Sequence, residues 1–247
     1  MEDHGDAKSG RSIAGPPLSL EEENKKLKAE IAFLQKKLQL VGSVTRHDVL
    51  NQMTAIVGYN ELLGMVIEDE KQKAFLERER YAVNKIRRQF QFAKDYQNIA
   101  TDPPRWQNLA NAVNRVKEAL DKQVIRFTTP PGNFAVYADP LFDKVLHQVF
   151  DNSVCHAGVP TEIRLTLQDD GSSARLIIED DGAGIPAKDK ERIFERGYGK
   201  GTGWGLFLAR EILLITGITI REEGEPGKGA RFVITLPPGT FREGDGE

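Results

Sequence analysis

Hydrophobic positions divide the chain into segments with different periods. Leu20, Leu27, Leu34 and Val41 recur every seven residues, and Asn24, Ile31 and Leu38 fall between them at alternating spacings of four and three. This is a heptad seam among Glu and Lys, with a polar Asn at an a position, and it predicts a coiled-coil helix over 19–42 or an engineered clamp. The helical period continues from Val44 to about Glu68 and, after a short polar turn, from Lys71 to about Ala100. Val49, Met53, Ile56, Asn60, Leu63 and Ile67 form a bundle-facing stripe. Two long helices joined by so short a turn are antiparallel neighbours, and a lone hairpin buries too little surface, so a homodimer of four helices is expected. The prolines of TDPPRW end the second helix and mark a domain boundary.

Beyond Arg105 the pattern is mixed. A short strand at Trp106 leads to a helix from about Leu109, then strands VIRFT and FAVYA, then a helix from Asp139–Pro140 to about His156. The alternating runs EIRLTLQ and ARLIIED, split by DDGSS, read as a hairpin, and so do ITIREE and ARFVITL around GEPGKG. A helix from Trp204 to Ile215 lies between them. The fold class is α+β: a helical hairpin followed by an antiparallel-rich sheet with helices on one face. The expected division is a disordered tail 1–18, a coil 19–42, a helical hairpin 43–101, a second domain 105–238 and a flexible tail 239–247.

Composition narrows the classes. No segment approaches a membrane span, and the N-terminus lacks the apolar core of a signal peptide. The single cysteine, Cys155, fits a reducing cytoplasm, and a net charge of −3 argues against nucleic acid as a partner. The four histidines and Cys155 have no zinc spacing.

Four motifs carry chemistry. In TRHDVLNQM, His47 faces away from the bundle stripe; Asp48 suits holding one ring nitrogen as N–H, and Asn51 shares the helix face. In DNSVCHA, Asn152 offers a neutral amide oxygen of the kind Mg²⁺ accepts beside substrate phosphates. In EDDGAGIP, Asp180 ends a strand, and Gly182 and Gly184 let the backbone approach a ligand. A carboxylate there accepts from the exocyclic amine of adenine and repels a carbonyl, which favours ATP over GTP. In GKGTGWGL, Gly201, Gly203 and Gly205 precede a helix and form a backbone N–H cradle for phosphates, without the pattern of a P-loop.

In this order the motifs resemble the sensor histidine kinase family, over about residues 43–238. HDVLNQMTAIVGYNELL is similar to its phosphoacceptor box, residues 140–157 to its N box, IEDDGAGIP and GTGWGL to its two glycine boxes, and IFERGYGKG to the stretch around its lid, with Phe194 in the aromatic position. The short lid is most like archaeal members.

The resemblance implies a helical-hairpin dimerisation domain and a Bergerat-type α/β sandwich that binds ATP. It implies His47 as phosphoacceptor, Asp48 as general base and Asn51 in a dephosphorylating position. Asn152, with Gln148, would hold Mg²⁺, His156 would lie near the nucleotide, and Asp180 would read adenine. Lys200, Gly201, Thr202, Gly203, Gly205 and Leu206 would wrap the phosphates. The implied partner is a response regulator receiver domain. The chain departs from the family at Gln148, often Asn, at Cys155, often Lys, and at Gln52, often Pro; Lys200 is the candidate to replace the missing Lys charge. A sandwich ATPase and a kinase-deficient phosphatase or scaffold are the alternatives. In such a family, the lack of a span implies either a soluble member driven by a partner or a chain whose sensor has been replaced by the coil.

Overall fold

The computed structural model describes residues 19–120, 126–130, 132–156, 162–199 and 202–244. The expected tail 1–18 and the last three residues lie outside them. The chain forms two compact units, the first ending at Thr45 and the second beginning at Arg46.

The first unit is the N-terminal part of helix α1 (Leu20–Val66). Its start is a capping box: Glu22 N donates to Ser19 Oγ, and the Glu22 carboxylate accepts from both Ser19 N and Ser19 Oγ. The bond from the Ser19 backbone holds the Glu22 carboxyl below its ordinary range, helped by the hydroxyl. The helix runs without interruption through Gly42–Ser43, where coil and hairpin meet in sequence, and the Ser43 hydroxyl bonds back to Leu40 O. The heptad residues Leu27, Ile31, Leu34, Leu38 and Val41 are all exposed.

In the second unit, the rest of α1 is followed by α2 (Glu70–Asn98), capped by Asp69, whose carboxylate accepts from Gln72 N at 2.9 Å. The two helices run antiparallel: Arg46 Nη1 donates to Gln97 Oε1 at 3.2 Å near one end, and Asn60 Nδ2 to Leu76 O at 3.0 Å near the other. Of the expected stripe, Met53 and Asn60 are buried within one chain, while Ile56 and Leu63 remain open.

The remaining elements are β1 (Arg105–Asn108), α3 (Leu109–Ala119), β2 (Arg126–Thr128), β3 (Phe134–Ala138), α4 (Phe142–His156), β4 (Glu162–Asp169), β5 (Ala174–Asp180), α5 (Gly205–Leu214), β6 (Thr219–Glu222), β7 (Arg231–Leu236) and β8 (Phe241–Glu243). A five-stranded sheet has the order β2-β4-β5-β7-β6 and is antiparallel except for the parallel pair β2–β4. Ala174, Leu176 and Ile178 alternate onto one face of β5 and share a core with Val145, Val149 and Phe150 of α4 and with Leu208 and Ile212 of α5.

Two expectations are corrected. The strands form two sheets rather than one, because β1, β3 and β8 pair separately in the order β1-β3-β8. Residues 241–243, assigned to a flexible tail, form β8: Phe241 packs against Phe134 at 5.5 Å, and Gly244 N donates to Asn133 O at 2.8 Å. The half-buried Phe241 ring on Phe134 and the ladder to β3 together hold so short a strand. Among the described residues, no helix is long and apolar enough to cross a membrane.

Candidate functional site

The first cluster stands on α1. His47 Nδ1 lies 3.2 Å from Asp48 Oδ1, and Asn51 Nδ2 lies 3.3 Å from Nδ1 and 3.4 Å from Nε2. In the tautomer whose Nδ1–H donates to Asp48, Nε2 carries the ring's one lone pair, which accepts a long, weak bond from Asn51 that an electrophile can displace. Both the His47 and Asp48 side chains are 74 % exposed, so an incoming electrophile meets no steric barrier.

The second cluster is at the end of β5. Asp180 is buried; its Oδ1 accepts from Gly182 N and Ala230 N, each at 3.0 Å. Its Oδ2 is buried with no hydrogen-bond partner among the described residues. A buried carboxylate oxygen left unpaired is costly, and a ligand donor such as the amine of adenine satisfies it. The glycines around it are sterically required. At Gly184, with φ of +70°, a Cβ would meet Gly229 O at 2.8 Å and Glu225 O at 2.9 Å. Gly229 packs directly on the Asp180 carbonyl. Gly229 and Ala230 belong to the site but were missed from sequence, where GKGAR reads as a hairpin turn and nothing more. Behind them Glu222 accepts from Gly224 N at 2.9 Å and Arg231 N at 3.1 Å and pairs with Lys190 Nζ at 2.9 Å.

The third cluster is the start of α5. Gly203 has φ of +68°, its carbonyl accepts from Gly197 N at 2.9 Å, and a Cβ there would collide with Tyr198. Gly205 opens α5, where the Gln148 amide oxygen of α4 sits in the space a Cβ would fill. Leu206 is buried, and Thr202 and Asn152 are half-buried. Phe194 is buried edge-on to Phe232, and the Tyr198 hydroxyl donates to Asp189 at 2.5 Å, a bond that raises the phenol's pKa. Lys200, Gly201 and the side chain of His156 lie outside the described residues. The structure thus joins Asp180 to Gly182, and Gln148 to Gly205, while His47, Asp48 and Asn51 form a separate group on α1. Trp204, between the two glycines, contacts Phe92 of α2 at 4.5 Å, a pairing missed from sequence although Phe92 and Tyr96 lie one turn apart on a charged helix.

An unpaired carboxylate at a strand end, walled by glycines and followed by a second glycine loop at a helix start, is a nucleotide site in outline. Residues 138–240 match the family described as histidine kinase-, DNA gyrase B- and HSP90-like ATPase. Sensor protein KdpD of Escherichia coli (strain K12) is 31 % identical over 149 residues, covering 56 % of this chain and 17 % of KdpD. Sensor protein SrrB of Staphylococcus aureus (strain NCTC 8325 / PS 47) is 26 % identical over 227 residues, covering 82 % of this chain and 38 % of SrrB. The chain therefore spans well under half the length of these curated relatives. The fold, a helical hairpin followed by a two-sheet α+β domain, is shared with full-length ShkA in complex with AMPPNP at a TM-score of 0.55 and 19 % identity, over 82 % of this chain and 46 % of ShkA.

Proposed function

We propose that the chain is an ATP-dependent protein-histidine kinase of a two-component system, with His47 as phosphoacceptor and an aspartate of a response regulator receiver domain as the next acceptor. The observation that carries this reading is the buried, unpaired Asp180 Oδ2 in an ATPase domain whose chain also presents an exposed His–Asp–Asn cluster on a helix. The sensor proteins it is similar to support the same reading.

Asp180 binds the adenine amine, and Gly182 and Gly184 admit the base edge. The backbone N–H groups at Gly203 and Gly205 face the triphosphate at the start of α5. Thr202, Leu206, Lys200, Gly201 and His156 complete the nucleotide's surroundings. Asn152 and Gln148 offer amide oxygens to Mg²⁺, which neutralises charge on the phosphates when bound. Nε2 of His47 forms the N–P bond as the bond from the γ-phosphorus to the ADP oxygen breaks. Asp48 accepts the hydrogen bond from Nδ1–H before transfer and takes that proton as the ring acquires charge. Asn51 orients the ring, and it is positioned to orient a water for dephosphorylating the receiver. A homodimer completes the bundle around Ile56 and Leu63, and the coil residues Leu27 to Val41 extend it. The lid motif supports the archaeal grouping, and the single cysteine a cytoplasmic setting.

The test is incubation with γ-labelled ATP and Mg²⁺. Acid-labile, base-stable label on the protein is the expected result. Free phosphate without protein label would make the chain an ATPase, and neither product would make it a scaffold.

A further inference from the structure

Two aromatic side chains near the C-terminal end of α2, Phe92 and Tyr96, contact the start of α5. Phe92 lies 4.5 Å from Trp204 and 6.3 Å from Phe207, and Tyr96 stacks on Phe207 at 6.1 Å and on Phe92 at 5.7 Å. The Trp204 indole also meets the preceding loop: the Arg196 guanidinium lies 5.8 Å from the ring centroid, and Nε1 lies 3.9 Å from where a Cβ on Gly197 would stand. Trp204 is therefore held between a hairpin helix and the loop that leads to the phosphate glycines. A second fastening lies beside it. Asp95 of α2 is buried, accepts from Gln91 Nε2 at 2.9 Å and pairs with Lys144 of α4 at 3.4 Å, one turn before Gln148. Helix α2 thus grips both α4 and α5, the two helices that meet at Gln148 and Gly205.

We infer that Phe92, which is outside the nucleotide site, is a positioning residue for it, fixing Trp204 and through it the loop from Gly203 to Gly205. Trp204 is flanked by two glycines, the residues that lose most backbone freedom on ordering. A loop left free must be ordered when the triphosphate binds, and that cost is subtracted from affinity. Stacked on Phe92, the loop is ordered beforehand. The coupling is reciprocal: a nucleotide that orders the loop also tightens the contact between α5 and α2. This inference rests on the ATP reading of the site.

The experiment measures binding of a non-hydrolysable ATP analogue with Mg²⁺ to the full chain by calorimetry, together with tryptophan emission. Phe92→Ala should raise Kd about 3- to 10-fold, the range that loss of one aromatic pair carries, and shift emission to the red. Phe92→Tyr should stay within about two-fold of wild type, since it retains the ring. Val83→Ala, at a buried position of the same helix about 13 Å away along its axis, weakens the hairpin without touching Trp204 and should leave Kd unchanged. Equal affinity for Phe92→Ala and wild type overturns the inference alone, and so does a loss in Val83→Ala that matches it. No binding by the wild-type chain overturns the ATP reading, and the inference with it.

Discussion

The same apolar residue types behave in opposite ways in the two halves of the chain. In the sandwich Phe142, Phe150, Phe232 and Ile212 are completely buried, and three helices close over one sheet. On α1, Leu38 is 60 % and Leu63 45 % exposed, although both lie on regular 4-3 stripes. Periodicity reports that a face is to be buried, and says nothing about whether the covering surface belongs to the same chain. The sandwich core is closed within one chain, whereas the helices display apolar positions that the same chain leaves uncovered, the surface the proposed dimer would bury.

The largest expected effect tests the closed half. Phe232→Ala should destabilise the sandwich by about 3–5 kcal/mol in denaturant unfolding, because a full ring leaves a cavity in a sheet–helix core. Leu38→Ala should change the stability of that transition by less than about 0.5 kcal/mol, as exposed substitutions do, and instead raise the dimer dissociation constant in sedimentation. A large unfolding effect from Leu38→Ala would mean that the exposed seam is covered within one chain.

Next in size is the brace behind the first glycine motif. Lys190→Met leaves the Glu222 carboxylate buried against two backbone donors and no cation, at a cost of about 3 kcal/mol in the same unfolding measurement. Asp180→Asn should then weaken ATP-analogue binding by about 10- to 100-fold, the range for a hydrogen bond to a charged group, while leaving the melting temperature nearly unchanged. Equal affinity would remove Asp180 from the adenine contact. The smallest effect is expected at Asn60→Ala, where the bond to Leu76 O and a longer one to Glu79 Oε2 are lost from the hairpin, about 1 kcal/mol in thermal unfolding.

Much of this architecture could be read from residue patterns, for identifiable reasons. Strands β4, β5 and β7 are runs of six to eight residues rich in Ile, Leu and Val and bounded by turn residues, which reads as strand even where β5 and β7 bury both faces. Strand β8 could not be read, because three residues bounded by Gly239 and Gly244 carry no period, and what holds them is the distant Phe134. The parallel pairing of β2 with β4 also escaped, since a three-residue edge strand does not declare its neighbour. At the site, Asp180, Gly182 and Gly184 were legible because strand, acid and glycines are contiguous. Gly229 and Ala230 were not, since they meet Asp180 across some fifty positions of chain. Phe92 and Trp204 lie further apart still, and a helix–loop contact at that separation is a property of the packed fold.

His47, in the proposed reaction, is the residue of this chain that accepts the γ-phosphoryl group of ATP. Wild-type chain and His47→Gln are each incubated with γ-labelled ATP and Mg²⁺, and protein-bound label is counted beside analogue affinity. The account predicts acid-labile label on wild type, none on His47→Gln, and the same nucleotide affinity for both. Label retained by His47→Gln would contradict it.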